Sequence, residues 1–368
     1  MPKEDPKPKG PTKTLRLVLV VSCVLLLVSL LAFIAYQLVS GDKEVEEKTS
    51  DIKSADVVVG VSLGPLRTER WQKDVDLMVE YGEEKNVYVN VLNANEDPDL
   101  QMTQAESLIL QGVDVLIIIP IDGEKIAPIV DIAHEAGIKV IAYDRMISHP
   151  DLDYYVSFDS FKVGEYQAQG VFDEVPKGKY IYLGGSPTDN NAYLLKEGSF
   201  SVIQPAIDRG DIELVMDVFV ENWKTELAYQ KVYDYLASGK KLDAIISAND
   251  GMADGAVKAL KEFNLAGKVP ISGQDAELTA CQRVAEGTQT LTVYKPLSSL
   301  AKRAIIMAVE AANGDVVETT GTILSPLNVE IPSYLLESTP VYKDNLESTV
   351  IKDGFHKSEE IYKSLPKN

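Results

Sequence analysis

Cysteine and histidine are scarce, two and three of 368 residues. Cys23 lies in an apolar segment and Cys281 in a distant helical pattern, which excludes a disulfide framework or a thiolate metal site. His134 falls in the last turn of a helix before Gly137, His149 in a polar loop and His356 near the C-terminus; all three are expected to face solvent. Nucleophile elbow, phosphate loop, dinucleotide fingerprint and HExxH are all missing. "GVSLG" (60–64) lacks the glycine spacing of a nucleotide turn. "NANEDPD" (93–99) lacks the central Gly and the closing Glu of a calcium loop, so it reads as a β–α turn. No cofactor and no metal are expected. Positive charge is also short: 36 Lys and Arg face 56 Asp and Glu, a net charge of −20 with a pI of about 4.6. Such a field repels nucleic acid.

What is present is globular in composition, 45% hydrophobic and 25% charged, and long enough for roughly two domains at about 150 residues each. Leu17–Val39 carries no charge and exceeds the roughly 20 residues that cross a bilayer. Lys3, Lys7, Lys9, Lys13 and Arg16 precede it, while Asp42, Glu44, Glu46 and Glu47 follow. The basic tail 1–16 is therefore expected to stay cytoplasmic and the rest to be exported. An uncleaved anchor is preferred. Cleavage near Val39–Gly41 meets an apolar run longer than the 7–15 residues usual for a signal peptide. Lipidation at Cys23 would leave sixteen further apolar residues at the mature N-terminus. Residues 40–54 read as a polar linker.

From Ala55 the chain alternates. Apolar runs such as "DVVVGVSL", "DVLIIIP" and "KVIAYD" are separated by stretches of helical period, with Gly112 and Gly137 at helix C-caps. Strands apolar on both faces, alternating with helices, predict an α/β fold with parallel sheets covered on both sides. A second series, "KYIYLGG", "ELVMDVFV", "KLDAIISAND", "KVPISGQD" and "TLTVYKP", predicts another doubly wound lobe, with helices near 189–209, 224–238, 251–264 and 276–286. The expected division is 55–158 plus about 296–328 for one lobe and 159–295 plus about 329–348 for the other, with a tail at 349–368 and a hinge between the lobes.

Ligands of open α/β sheets bind beyond the carboxyl ends of the strands. There the sequence puts Arg70 and Trp71, Asp122, Asp144 and Arg145, Asp189 and Asn191, Trp223, Asn249, Asp275 and Lys295. Asp and Asn are common helix caps at such places, but Arg, Lys and Trp do not cap helix starts. Carboxylates accept, amides accept and donate, and Arg donates from a rigid fork. A ring of hydroxyls satisfies that mixture, and aromatic planes cover its C–H face. Arg70 with Asp144, or Arg145 with Asp275, are candidate pairs to offset the cost of buried charge.

The segments "LRTERWQKD", "QGVDVLIIIP", "IKVIAYDRMI", "GGSPTDNNA", "SAND", "ISGQDAEL", "GTQTLTVYKP" and "TVIKDGFHK" resemble the type 1 periplasmic sugar-binding family, its D-xylose-binding members in particular, from Ala55 to about Lys357. The resemblance implies a two-lobed, hinged receptor without enzymatic activity that closes on a monosaccharide such as D-xylose. It implies contacts from Arg70, Asp144, Arg145, Asp189, Asn191, Trp223, Asn249, Asp275 and Lys295. Phe219 replaces another aromatic there and is expected to stay off the sugar. Implied partners are an ABC sugar permease or the outer domain of a sensor kinase, and the anchor is a departure from the family's released members. Three rivals stand beside it. One is a receptor for another pentose or a hexose. Another is a sugar-modifying enzyme using Asp144 and Asp275, and the third a LacI-like regulator, which would need a helix-turn-helix in place of Leu17–Val39.

Overall fold

The computed structural model describes residues 55–64 and 69–365; the basic tail, the expected anchor Leu17–Val39, the linker and Arg67 lie outside them. Among the described residues no helix is long and apolar enough to cross a membrane.

Seven strands make the first sheet: β1 (Val57–Leu63), β2 (Val87–Asn93), β3 (Val115–Ile119), β4 (Lys139–Tyr143), β5 (Tyr154–Phe158), β10 (Gly321–Leu324) and β11 (Glu330–Leu336). Their order is β10-β11-β5-β4-β3-β1-β2. The apolar run of β3 explains the layering. Val115, Ile117 and Ile119 alternate onto one face, against α1 (Glu69–Glu84) and the later helix Leu297–Asn313. Leu116 and Ile118 point to the other, against α2 (Pro98–Leu110) and α3 (Ile129–Glu135). Both faces are dry, so no polar alternation is needed. Gly112 and Gly137, at φ 77° and 76°, end α2 and α3 in the left-handed region that a side chain disfavours.

The second lobe begins with α4 (Ser160–Glu174). Its sheet is β7 (Ile212–Phe219), β6 (Gly178–Gly184) and β8 (Ala244–Ser247) in the order β7-β6-β8, all parallel. Around it pack α5 (Asn190–Asp208), α6 (Thr225–Ala237), α7 (Asp250–Glu262) and α8 (Leu278–Glu286). The chain returns to the first lobe through α9 (Leu297–Asn313).

Three expectations change. The sheets are mixed, because β10 runs antiparallel to β11 at one edge. "KVPISGQD" does not form a full strand: Ile271 makes a single bridge to Ile245, since Pro270 has no N–H to extend the ladder. Residues 329–348 do not all join the second lobe. Glu330–Leu336 pairs with Tyr154–Phe158 in the first sheet; the chain crosses over after it, with β12 (Thr339–Val341) antiparallel to β9 (Thr292–Tyr294) and Tyr342 and Leu346 packed in the second lobe. Backbone thus passes between the lobes three times, near 158–160, 294–297 and 336–339.

The histidines do not simply face solvent. His149 is 9% exposed and pairs with Asp131 at 3.3 Å. His134 meets Asp153 at 2.7 Å, and His356 Nε2 donates to the Ala276 carbonyl at 2.7 Å. Each finds an acceptor contributed by a remote stretch of chain or an adjoining helix, which local sequence does not show. The 93–99 segment is a turn, with Asp97 Oδ1 capping α2 through Asp99 and Leu100 N–H. No group of metal-ligating side chains occurs among the described residues, and Cys281 is buried and unbridged.

Candidate functional site

In the first sheet the winding reverses at β1, and in the second at β6, and both reversals put strand ends and helix starts beside one cleft. Its volume is about 350 Å³. Ten of the eleven residues expected at the site line it: Arg70, Trp71, Asp144, Arg145, Asp189, Asn191, Trp223, Asn249, Asp275 and Lys295. Asp122 does not. Its Oδ1 caps the turn after β3 by accepting from Glu124 and Lys125 N–H at 2.9 and 3.0 Å, and it borders a separate hollow with Met146 and Pro187. For this residue the capping role common at strand exits is the one realised.

Arg70 is the centre of the charge arrangement. From the first turn of α1 its guanidinium reaches Asp144 after β4, Asp275 at 3.0 Å from the second lobe, and Asp74 one turn on at 3.3 Å. Lys295 Nζ meets the same Asp275 oxygen at 2.8 Å. Burial works against the ionised forms of Asp144 and Asp275. Arg70 and Lys295 outweigh it, and both carboxyls stay below the usual range. Asp74 is different: its burial wins over Arg70 and the Tyr143 hydroxyl, and its carboxyl is pushed up to about 6. The expected pair Arg145–Asp275 is not formed. Arg145 instead binds Asp189 at 2.9 Å, while Asp275 is held by Arg70 and Lys295.

Capping and cleft duties coexist in two residues. Asp189 Oδ1 accepts from Asn191 N–H at 3.0 Å while its Oδ2 takes Arg145. Asn249 Oδ1 caps α7 through Met252 N–H at 2.9 Å, which leaves its Nδ2 donor at the cleft. Asn191 is more heavily engaged with protein. It donates to the Asp144 carbonyl at 2.7 Å and accepts from Tyr155 and Ser160 hydroxyls at 3.2 and 3.1 Å, tying α5 to the first lobe.

Two indoles form walls. Trp71, 5% exposed, has the Arg70 guanidinium carbon 4.4 Å and that of Arg145 5.3 Å from its ring centroid. Trp223 lies in a short 3₁₀ turn, Glu221–Trp223, with Asn222 and Trp223 at φ 51° and 56°. Asp144 at φ 61° and Asp275 at φ 95° are also left-handed without being glycine. Strained backbone gathered at one cleft is characteristic of a site whose geometry is held by its surroundings. A Cβ on Gly185 would stand 2.0 Å from Trp223 Cη2. Gly185→Ala is therefore expected to push the indole off its place and weaken ligand binding about tenfold with little loss of melting temperature. Unchanged affinity in a calorimetric titration would show that Trp223 is not a wall.

Some residues of the site were not foreseen. Asp74 lies buried behind the cleft and was legible in "RWQKD" as the i+4 partner of Arg70 on a helix. Gln274 and Glu277 flank Asp275 in "GQDAE" and also line the cleft, as do Glu96 and Glu226. Phe219 lies outside the lining and packs on Tyr193, 4.8 Å between ring centroids.

Sequence comparison extends the geometry. The D-xylose-binding periplasmic protein of Escherichia coli K12 is 46% identical over 307 residues, 83% of this chain and 93% of that protein. Its namesake from Haemophilus influenzae is 44% identical over 315 residues, 85% and 95% of the two chains. Among solved structures, an ABC transporter solute binding protein from Clostridium phytofermentans with bound β-D-glucose superposes with a TM-score of 0.77. It is 27% identical, with 83% of this chain and 99% of that one covered. The family model described as periplasmic binding protein domain matches residues 59–315, across both lobes and the cleft residues between them, and the chain belongs to that family.

Proposed function

We propose that the cleft binds a monosaccharide, D-xylose first, without converting it, and that the lobes close on it. One observation carries this reading: Arg70 joins Asp144 of the first lobe to Asp275 of the second beside the Trp71 ring, in a cleft of about 350 Å³. Hydroxyls fit among donors and acceptors already aligned by such pairing, and the indoles cover the ring's C–H face. The Escherichia and Haemophilus relatives support xylose; the glucose-bound Clostridium structure supports a hexose as the second reading.

In this reading Leu17–Val39 tethers the lobes beside a membrane partner, an ABC permease or the outer domain of a sensor kinase. Contacts from both lobes give the sugar a preference for the closed form, and only that differential affinity shifts the equilibrium a partner reads.

Calorimetric titration of the full chain in detergent against pentoses and hexoses tests the ligand. Xylose is expected to bind and to be recovered unchanged. Asn249→Ser keeps an oxygen to cap α7 but removes the amide donor. It is expected to cost about 1–3 kcal/mol of xylose affinity, the scale of one buried partner left unsatisfied. Wild-type affinity in that variant would place the sugar elsewhere. Equal binding of glucose and xylose would favour the hexose reading. A mature chain beginning near Asp42, or carrying lipid on Cys23, would remove the tether.

A further inference from the structure

Glu277 stands at the start of α8, half-buried among the residues that line the cleft beside Asp275. Its carboxyl makes no hydrogen bond or ion pair with any described residue. Three cations of the cleft region, Arg283, Lys295 and Arg70, are committed elsewhere. Arg283 of the same helix is held by Asp254 at 3.0 Å, by the Asp250 carbonyl at 3.1 Å and by Gln289 at 2.9 Å. Lys295 and Arg70 are held by Asp275, and Arg70 also by Asp144 and Asp74.

The groups around Glu277 are acidic. Asp250 and Asp254 of α7 and the neighbouring Asp275 all act on it, with Arg283 as a counterweight, while Glu96, Glu226 and Lys224 line the same cleft and His356 of the C-terminal segment meets the adjoining Ala276 carbonyl at 2.7 Å. A helix start ordinarily favours a carboxylate. Here the first amide is already taken, since Glu277 N–H donates to Asp250 Oδ2 at 3.1 Å. Asp250 also accepts from Thr292 at 2.7 Å and Gln289 at 2.8 Å, so three donors hold its carboxylate at that helix start.

We infer that Glu277 enters the cleft as a neutral carboxylic acid and donates a hydrogen bond to a hydroxyl of the bound sugar, so that sugar affinity depends on its proton. This rests on the cleft being a sugar site. The chemistry complements the rest of the cleft, where Arg70, Arg145 and Lys295 are already paired with carboxylates. A protonated acid adds a donor that carries no charge to neutralise. Burial first, then the charges of Asp250 and Asp275, push its carboxyl up to about 8.

The sign follows from linkage. If only the protonated form binds, affinity is fully present below about pH 7 and is lost as pH rises through about 8. D-Xylose itself does not titrate in this range. Titration calorimetry of the full chain in detergent from pH 6 to pH 9 is expected to show roughly tenfold weaker xylose binding at pH 9 than at pH 7. Glu277→Gln, whose amide also donates, is expected to bind within about twofold of wild type at pH 6 and to lose the pH dependence. Glu277→Ala is expected to bind weakly at every pH, with an unchanged melting temperature at pH 6 showing that it is folded.

A wild-type profile flat from pH 6 to pH 9 would overturn the inference while leaving the sugar reading intact. So would a slope that persists in Glu277→Gln, which would move the proton to another acid such as Asp250, whose carboxyl burial pushes up to about 7. Absence of wild-type binding to any sugar at any pH would overturn both readings.

Discussion

Arg70→Ala is expected to abolish measurable xylose binding and to destabilise the folded chain by about 3–5 kcal/mol, the scale of stranding buried charges without their partner. The guanidinium is the shared counter-ion of Asp74, Asp144 and Asp275. Once it is removed, Lys295 still holds Asp275 and the Tyr143 hydroxyl still donates to Asp74, but Asp144 loses its hydrogen-bonded cation. Arg70→Lys should recover little, because one ammonium cannot present a planar fork to three carboxylates.

The variant also has an expected pH signature. Asp74 is pushed up to about 6 even with Arg70 beside it, and without Arg70 its folded-state carboxyl moves higher. A carboxyl raised on folding binds its proton more tightly in the native state, so stability falls as pH rises from the unfolded value through the folded one. Arg70→Ala should therefore be more stable near pH 5 than near pH 8, by a wider margin than wild type. Chemical denaturation at the two pH values, with calorimetry for the sugar, checks both parts. A variant with wild-type stability and affinity would mean that Arg70 does not organise the cleft.

Gly198→Ala is expected to cost about 3 kcal/mol, the scale of forcing a group into a packed interior. Helices α4 and α5 touch backbone to backbone. A Cβ on Gly198 would lie 1.9 Å from the Phe161 carbonyl oxygen, and one on Gly164 2.1 Å from that of Leu195. Backbone cannot yield as a side-chain tip does, so the helices must separate. Val163, Leu195 and Ile203 then lose packing in the second lobe's core. Alanine's better helix propensity returns only about 1 kcal/mol. The displacement also reaches the cleft, since α5 starts at the Asp189 cap and carries Asn191. A thermal melt within a degree or so of wild type would show that the helices can part without cost.

The alternation of strand and helix was legible because it is local. Val115–Ile119 has to be a strand dry on both faces, and the glycines after α2 and α3 must take positive φ. So was the collection of polar and aromatic side chains at strand ends, since a parallel sheet puts those ends on one edge whatever the detailed pairing. Asp122 shows the limit. By type and position it matches Asp144 and Asp189, yet its carboxylate turns back to cap its own loop, a choice between two equally local options that packing decides.

Strand neighbours and ion pairs come from contacts distant in sequence. Glu330–Leu336 belongs to the first lobe because its partner is Tyr154–Phe158, nearly two hundred residues away along the chain, and nothing in its own pattern specifies that edge. Arg145 could have met Asp275 by charge alone. It meets Asp189 instead, and Asp275 is held by Arg70 from α1 and by Lys295 from the residue after β9. Sequence determined which charges enter the cleft, since residue type sets charge and strand-end position sets the edge. Only the tertiary structure decided how they pair, because pairing depends on the few ångströms by which two lobes and three crossings bring them together.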